Sequence, residues 1–288
     1  TPKPSSAASD VYKRQARAGP QIRSSARRRC HGCASCSLEA GNRVPCTTIT
    51  LQELSDEASL KLLETLLPTT PQMPRYLKDL ILSKAHGNPL FIEEVAHALI
   101  ENYLTLDPET GTYRARADLA QIEVPDTVSR VIMSRIDRLD EPSRDVLKVA
   151  SVIGKEFEYW LLSEIYPYRR VNSELRQRLD QLTQREILDG PRPELIYLFR
   201  HILTREVAYE SLLYADRREL HRRIGESIEK QRAGHLEEYY EVLAHHYALA
   251  EDWEKALGYH LRAGEKAQAI YANEAAIHHV RKALEVAE

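Results

Sequence analysis

Three stretches decide the fold: GNPLFIEEV at residues 87–95, VPDTVSRVIMSRIDRLD at 124–140 and FRHILTREVAYESLLYADRREL at 199–220. In the first stretch, Gly87 and Pro89 combine a helix stop with a helix start. Glycine tolerates the left-handed backbone that ends a helix, and proline loses nothing at a first helical position. Apolar residues at helical spacing in the other two stretches predict further short helices. The sequence therefore predicts a mainly α protein.

Residues 47–124 predict a small helical bundle that ends in a hairpin. Ser55 precedes an amphipathic run and so predicts an N-capped first helix. The apolar pattern predicts two further helices at about 74–84 and 89–103, and LTLDPETGTYRA at 104–115 predicts the hairpin.

Residues 125–213 have the order of elements of a winged-helix domain. The helix before the wing stands where a DNA-recognition helix would be, but it mixes Arg176 and Arg178 with acidic residues. Because phosphate binding favours a face of one sign, the mixture favours an interdomain surface over DNA. The predicted elements are helices near 127–138, 141–152, 157–166 and 172–186, and strands at 187–189 and 195–199, the last two forming the wing.

Residues 214–288 predict helices at about 214–231, 238–250, 253–271 and 273–287. Two alanine pairs are spaced by seven residues: Ala256 with Ala263, and Ala276 with Ala283. Small residues at helix crossings, with aromatic residues beside the turn, resemble tetratricopeptide repeats. No polar capping helix precedes residue 288, so we expect the array to continue further.

The composition limits the class of protein. The 288 residues are 43% hydrophobic with 11 glycines, which suits two or three helical cores. No run approaches 18 apolar residues, and the first residues lack the apolar segment of a secretory signal. The sequence therefore predicts no membrane span and a cytoplasmic location.

The first 46 residues differ from the rest. They hold nine basic and two acidic residues, against 31 basic and 41 acidic in the remainder. The segment SDVYKRQ at 9–15 resembles a translated sequencing-adapter scar, so we interpret residues 1–46 as a disordered segment or an artefact. The acidic remainder argues against a large nucleic-acid surface.

All four cysteines, Cys30, Cys33, Cys36 and Cys46, lie in this first segment. Structural zinc needs two pairs of ligands from separate turns, and an iron–sulfur cluster needs a different fourth spacing. We therefore expect no metal site. The remainder has no cysteine, as is typical of proteins in a reducing cytosol.

The chain has no phosphate-binding loop. That motif, G-x-x-x-x-G-K-[ST], wraps phosphates with backbone amides. The Gly154-Lys155 pair instead has Val149 in place of the first glycine and Glu156 after the lysine. No catalytic triad, metalloprotease helix or paired-carboxylate pocket emerges either. We expect no enzymatic turnover from this chain alone and no cofactor bound by it alone.

Residues 47–288 nevertheless resemble the region that follows the P-loop core in STAND signalling ATPases. The resemblance is greatest to the bacterial subgroup fused to class III adenylate or guanylate cyclases, and it rests on GNPLFIEEV with the winged helix at the matching distance. It implies that residues 47–124 form the lid of the ATPase and that 125–213 form its winged-helix arm. Residues 214–288 would be repeat helices that bind a partner or the core.

The resemblance also implies a nucleotide site. In the family, the proline of G-x-P packs on the adenine, which assigns Gly87 and Pro89, and a histidine after the wing contacts the ADP β-phosphate, which assigns His201. This sequence departs from the family's Met-His-Asp pattern, with Arg200 before the histidine and Ile202 after it. Two plain alternatives remain: a helix stop followed by a helix start, and a histidine that packs a helix start.

The resemblance implies that the complete protein couples ATP or ADP, held with magnesium on its own P-loop core, to an effector such as a class III nucleotide cyclase. The expected partners are that core, the effector and a protein bound by the helical repeats, with neither nucleic acid nor membrane. The alternative is part of a LuxR-like ATP-dependent transcription regulator, whose DNA-binding domain would follow residue 288.

Overall fold

The computed structural model describes residues 52–67, 73–109, 113–115, 122–166 and 172–287. Residues 1–46, with the four cysteines, lie outside these ranges. The described chain is mainly helical, with twelve α-helices and two small antiparallel sheets, which confirms the predicted fold class.

The first three helices and a hairpin form one small bundle, which we name the lid bundle after the role that the sequence led us to expect. Helix α1 begins where Ser55 Oγ accepts a hydrogen bond from Ala58 N at 3.2 Å, which is the predicted cap. The two strands pair antiparallel. The bundle consists of α1 (Asp56–Leu66), α2 (Arg75–Ala85), α3 (Pro89–Tyr103), β1 (Leu104–Leu106) and β2 (Tyr113–Ala115).

The winged helix comes next. Its sheet has the strand order β3-β5-β4, and the β4–β5 hairpin is the predicted wing, with α7 immediately before it. Its elements are α4 (Val128–Asp137), α5 (Glu141–Ile153), β3 (Glu156–Glu158), α6 (Tyr159–Ile165), α7 (Asn172–Gln184), β4 (Leu188–Arg192), β5 (Ile196–Phe199) and α8 (Ile202–Glu210).

Strand β3 differs from the sequence prediction, which placed residues 157–166 in one helix. Phe157 lies buried opposite Tyr197 of β5, and the two rings stack with centroids 5.9 Å apart. Pairing with the wing holds this residue extended, so α6 begins at Tyr159. Tertiary contact here overrides a local helical pattern.

Helix α4 belongs to two hydrophobic cores. Val131 is buried in the core of the lid bundle, whereas Ile132 and Ile136 are buried in the core of the winged helix. Successive residues of a helix point about 100° apart, so adjacent positions can serve two cores. The helix α4 therefore joins the lid bundle to the winged helix.

The remaining helices form an antiparallel array: α9 (Tyr214–Gln231), α10 (Tyr240–Leu249), α11 (Trp253–Ala269) and α12 (Asn273–Ala287). Leu220 of α9 and Leu243 of α10 belong to the same buried cluster as the winged-helix core, so the two regions share one core. Ala256 and Ala263 are buried on α11, whereas Trp253 is 53% exposed and fills no crossing.

Tyr247 fills the crossing of α9 and α10. Its side chain is fully buried, and a Cβ added at Gly225 would lie 2.7 Å from its ring. The Tyr247 ring also stacks on that of Tyr259 of α11, with centroids 5.8 Å apart. The absence of a side chain at Gly225 thus lets α9 and α10 approach each other around one aromatic ring.

None of the helices in the described ranges is long and apolar enough to span a membrane.

We predict that Gly225→Ala destabilises the protein by about 1–3 kcal/mol, because the added methyl overlaps a packed ring. Gly258→Ala is the matched control: it also lies inside a helix, but an added Cβ meets no atom within 4 Å. Helix propensity should make it neutral or stabilising by up to about 1 kcal/mol. Urea unfolding of both variants measures the difference, and equal effects would contradict the packing described.

Candidate functional site

The turn between α2 and α3 presents Pro89 to solvent. His86 and Gly87 have left-handed backbone angles, with φ of 46° and 70°, and these reverse the chain. Asn88 caps α3, since its Oδ1 accepts hydrogen bonds from two backbone amides of the first turn at 3.0 and 3.4 Å. The cap and the turn hold the start of α3 in one conformation, with Gly87 buried and the Pro89 ring exposed.

A buried ion cluster lies farther along the same helix. Arg135 of α4 is 3% exposed, and its Nη1 donates to Glu94 Oε2 of α3 at 2.6 Å. Glu94 is buried to the same degree. The Nη2 and Nε atoms of Arg135 donate to the two carboxylate oxygens of Glu101 at 2.7 and 3.4 Å. This fork matches the planar geometry of a carboxylate.

The same guanidinium reaches the winged helix. Arg135 Nη2 also donates to the backbone carbonyl of Arg185, at the end of α7, at 2.7 Å. Burial alone would lower the pKa of Arg135, but its hydrogen bonds to Glu101 and the charge of Glu94 raise the pKa above its usual value. Arg135 is therefore a permanent cation that ties α3, α4 and the end of α7 together.

His97 extends the cluster toward the wing. Its Nδ1 lies 3.5 Å from Arg135 Nη1, and its Nε2 lies 3.2 Å from Glu186 Oε2. Burial and the adjacent Arg135 lower the pKa of His97, which favours the neutral ring. Because a guanidinium can only donate, we assign the proton to Nε2, which then donates to Glu186. Arg200 Nη1 contacts the same carboxylate at 3.0 Å.

Glu186 takes an unusual backbone conformation to reach these partners. It ends α7 with φ of 57°, while Ile187 N donates to Leu182 O at 3.0 Å, a helix ending that glycine usually completes. A left-handed non-glycine residue costs about 1 kcal/mol. The hydrogen bond with His97 and the ion pair with Arg200 offset that cost.

His201 stands at the first position before α8, facing α3. Its Nε2 lies 3.6 Å from Glu93 Oε2, within reach of an ion pair but too long for a hydrogen bond. The atom is buried and has no hydrogen-bond partner. An imidazole N–H in that position has no acceptor within hydrogen-bond distance.

Glu93 of α3 relates Pro89 to His201, since it follows the proline on the same helix and approaches the histidine. Glu93 follows Pro89 by four residues, so the two side chains share a face, separated by about 6 Å along the helix axis. His201 approaches Glu93, with its Nε2 atom 3.6 Å from Glu93 Oε2. The structure thus places an exposed apolar ring, a buried nitrogen without an acceptor and a carboxylate at the joint of lid and winged helix.

The arginines of α7 engage other parts of the chain. Arg178 Nη1 donates to Asp140 Oδ2 at 2.7 Å, and the guanidinium of Arg176 lies over the Tyr159 ring at 5.1 Å from its centroid. A DNA-reading helix would need such groups free for phosphate.

The Gly154-Lys155 pair lies between α5 and β3, where Gly154 caps the helix and Lys155 O accepts a hydrogen bond from Phe199 N.

Sequence reasoning missed the ion cluster. Its signal was a charged residue inside a buried apolar stripe on each of two helices: Glu94 among Phe91 and Val95, and Arg135 among Ile132 and Ile136. Opposite charges in two such stripes predict a buried pair.

Adjacent histidines on a helix, such as His245 and His246, are usually at the surface, but His246 is 3% exposed and its Nδ1 atom faces His221 of α9. Within the described ranges, no three His, Cys, Asp or Glu side chains converge on a possible metal site.

No protein-family model matches this chain. Over 148 residues the chain is 28% identical to an uncharacterized protein of Rhizobium meliloti (strain 1021), a match that covers 51% of this chain and 14% of that protein. The chain thus spans a small part of the relative's length, and the similarity assigns no function.

We predict that Glu94→Gln destabilises the protein by about 3 kcal/mol, because it removes the charge that compensates a buried guanidinium. Glu64→Gln is the control, since its carboxylate pairs with Lys78 at the surface, where such pairs contribute less than about 1 kcal/mol. Chemical denaturation compares the two. A loss for Glu94→Gln no larger than that of the control would show that Arg135 does not depend on this partner.

Proposed function

We propose that this chain is the lid, winged-helix arm and helical array of a STAND-type signalling ATPase. In the complete protein it would couple the ATP or ADP state of a P-loop core to an effector, a class III nucleotide cyclase. The observation that supports this most is that His201 approaches Glu93, which follows Pro89 by four residues on α3, at a joint held by Arg135. Pro89 and His201 are residues that the family resemblance assigns to the nucleotide.

The residues present fit a nucleotide that is bound mainly elsewhere. The exposed Pro89 ring, which has no N–H, offers an apolar face to adenine. His201 Nε2 lacks an acceptor, which a phosphate oxygen would supply. This chain has no P-loop for the phosphates or the magnesium, so the nucleotide would bind tightly only when the core contributes those contacts.

His201 would act as the residue that senses the nucleotide state. Its Nε2–H would donate to the β-phosphate in the closed arrangement and lose that partner when the arm moves away. Only a contact that differs between two states can shift their balance. His201 immediately precedes α8, which packs on α4 and leads into α9. A change at His201 could thus pass directly to the array and its protein partner.

The chain itself would perform no turnover in this scheme; catalysis would belong to the core and the effector. The helical array would bind a protein partner, as helix-pair arrays commonly do. The absence of cysteine from residue 47 onward supports a reducing, cytoplasmic location.

We predict that His201→Ala, tested with residues 47–288 joined to the P-loop core, weakens ADP retention about ten-fold or more and raises basal effector output. The reason is the loss of a hydrogen bond to a charged group, worth about 1.5–3 kcal/mol. The ADP dissociation rate and the melting temperature are measured on the same variant. Exposed His235 provides the control, His235→Ala, for which neither quantity should change.

The alternative reading of His201 as a packing residue makes the opposite prediction. It requires a lower melting temperature with unchanged ADP release, because Glu93 and the start of α8 would then be its whole environment. A destabilised variant with wild-type ADP release would therefore reject the nucleotide-sensing role.

A further inference from the structure

Two buried imidazoles face each other across the first seam of the array. His221 of α9 and His246 of α10 are 1% and 3% exposed, and their Nδ1 atoms lie 2.8 Å apart. The hydroxyl of Tyr209, on α8, lies 3.1 Å from the His221 Nε2. A chain of polar groups thus runs from the last helix of the winged helix, through α9, to α10.

Only one proton can lie between the Nδ1 atoms of His221 and His246, in a hydrogen bond that joins the two rings. A neutral imidazole carries one N–H, so one Nδ1 donates to the other, and His221 Nε2 exchanges a hydrogen bond with Tyr209 in whichever sense the tautomer allows. A further proton can be taken up at an Nε2 atom without breaking this bond, but its charge is then buried. A second added proton would place two N–H donors against each other. The closed seam therefore disfavours protonation of the pair.

The groups around the pair do not compensate an added charge. Facing it are Arg205 of α8, which donates to Ser151 O of α5 at 2.8 Å, and His245 of α10. Arg217 of α9 lies over the Tyr209 ring. Helices α5 and α6 also pack on α9, and α11 packs on α10. Among the described residues, no carboxylate on any of these helices raises the pKa of either imidazole.

Burial is the main reason that the pKa of His221 is lowered to about 3, and His245 and Arg205 lower it further. The pKa of His246 is lowered well below its usual value for the same reason. In an opened seam both rings would regain a value near 6.5. The closed seam is thus fully stable above that pH and loses stability as the pH falls below it.

We propose that the His221–His246 pair is an acid-sensitive joint between the winged helix and the helical array, which opens between α8, α9 and α10 when the pair takes up protons. The size of the effect follows from proton linkage. From pH 7.5 to 5.5, each histidine favours the open seam by about ten-fold, and the two together by about a hundred-fold. The inference is independent of the nucleotide role proposed for His201.

The next seam serves as an internal comparison. His260 of α11 and His279 of α12 also face each other, with Nδ1 atoms 3.2 Å apart. Burial lowers the pKa of His279 too, but Glu241 of α10 acts in the opposite direction. His279 is also partly exposed. This second seam should respond less to acid than the first.

Amide hydrogen exchange of the full chain at pH 7.5 and 5.5, corrected for the intrinsic rates, tests the proposal. We expect opening of the α9–α10 seam to increase by about ten- to a hundred-fold, with little change in α3 and α4. The His221→Asn/His246→Asn double variant replaces each Nδ1 with an amide group that does not titrate, and it should lose the pH dependence. His235→Asn, an exposed histidine outside the seam, should keep it.

A uniform increase along the whole chain, or an unchanged pH dependence in the double variant, would overturn the proposal. If the double variant does not fold, the NMR signals of the His221 and His246 rings in the unaltered chain decide instead. We expect them to titrate only as the α9–α10 amides lose protection. Titration near pH 6.5 with those amides still protected would show that the seam tolerates the charge and would overturn the proposal.

Discussion

The arrangement of the lid bundle and the winged helix depends on one buried side chain, Arg135, whose guanidinium needs hydrogen-bond acceptors. A cation taken out of water must have both its charge and its N–H donors satisfied. Arg135 obtains two carboxylates from α3 and a backbone carbonyl from the end of α7. These acceptors lie in different directions, so meeting them fixes the lid bundle and the winged helix relative to α4.

The surrounding features agree with that requirement. Helix α4 buries Val131 in the lid core and Ile136 in the winged-helix core, so hydrophobic burial brings the parts together and the ion cluster orients them. Burial is not directional, whereas hydrogen bonds to a planar guanidinium are. Glu186 adopts a left-handed backbone conformation, and its carboxylate contacts His97 of the cluster. The end of α7 is thus tied to α3 and α4 by hydrogen bonds, which suits a structural arm better than a helix that reads DNA.

Local signals in the sequence predicted most of the fold. The Ser55 cap and the turn at 87–89 involve groups within four residues of each other, and both appear as expected. Strand β3 was missed because its strand conformation comes from Tyr197, some forty residues later in the chain. The order of elements, with a wing after α7, was predictable because turn residues and apolar periodicity mark each boundary.

The site was less predictable, because its contacts join residues far apart in sequence. Arg135 and Glu94 are separated by 41 residues, and His221 and His246 by 25. The available signal for Arg135 and Glu94, a charge inside each of two apolar stripes, was missed. The histidine pair had no such signal, since a histidine on a helix is usually at the surface. Pro89 and His201 were assigned by resemblance, and the contact of His201 with Glu93, on the same helix as Pro89, emerges only from the packing of α3 against the winged helix.

A double-mutant cycle on Arg135 and Glu94 tests the central claim most directly. Arg135→Met, Glu94→Leu and the double variant are compared by chemical denaturation. If the buried pair orients the joint, each single variant strands a charge, and the double variant should recover at least about 2 kcal/mol relative to the sum of the two losses. Losses that add to within about 0.5 kcal/mol would mean that the two residues act independently, and the account of the joint would be wrong.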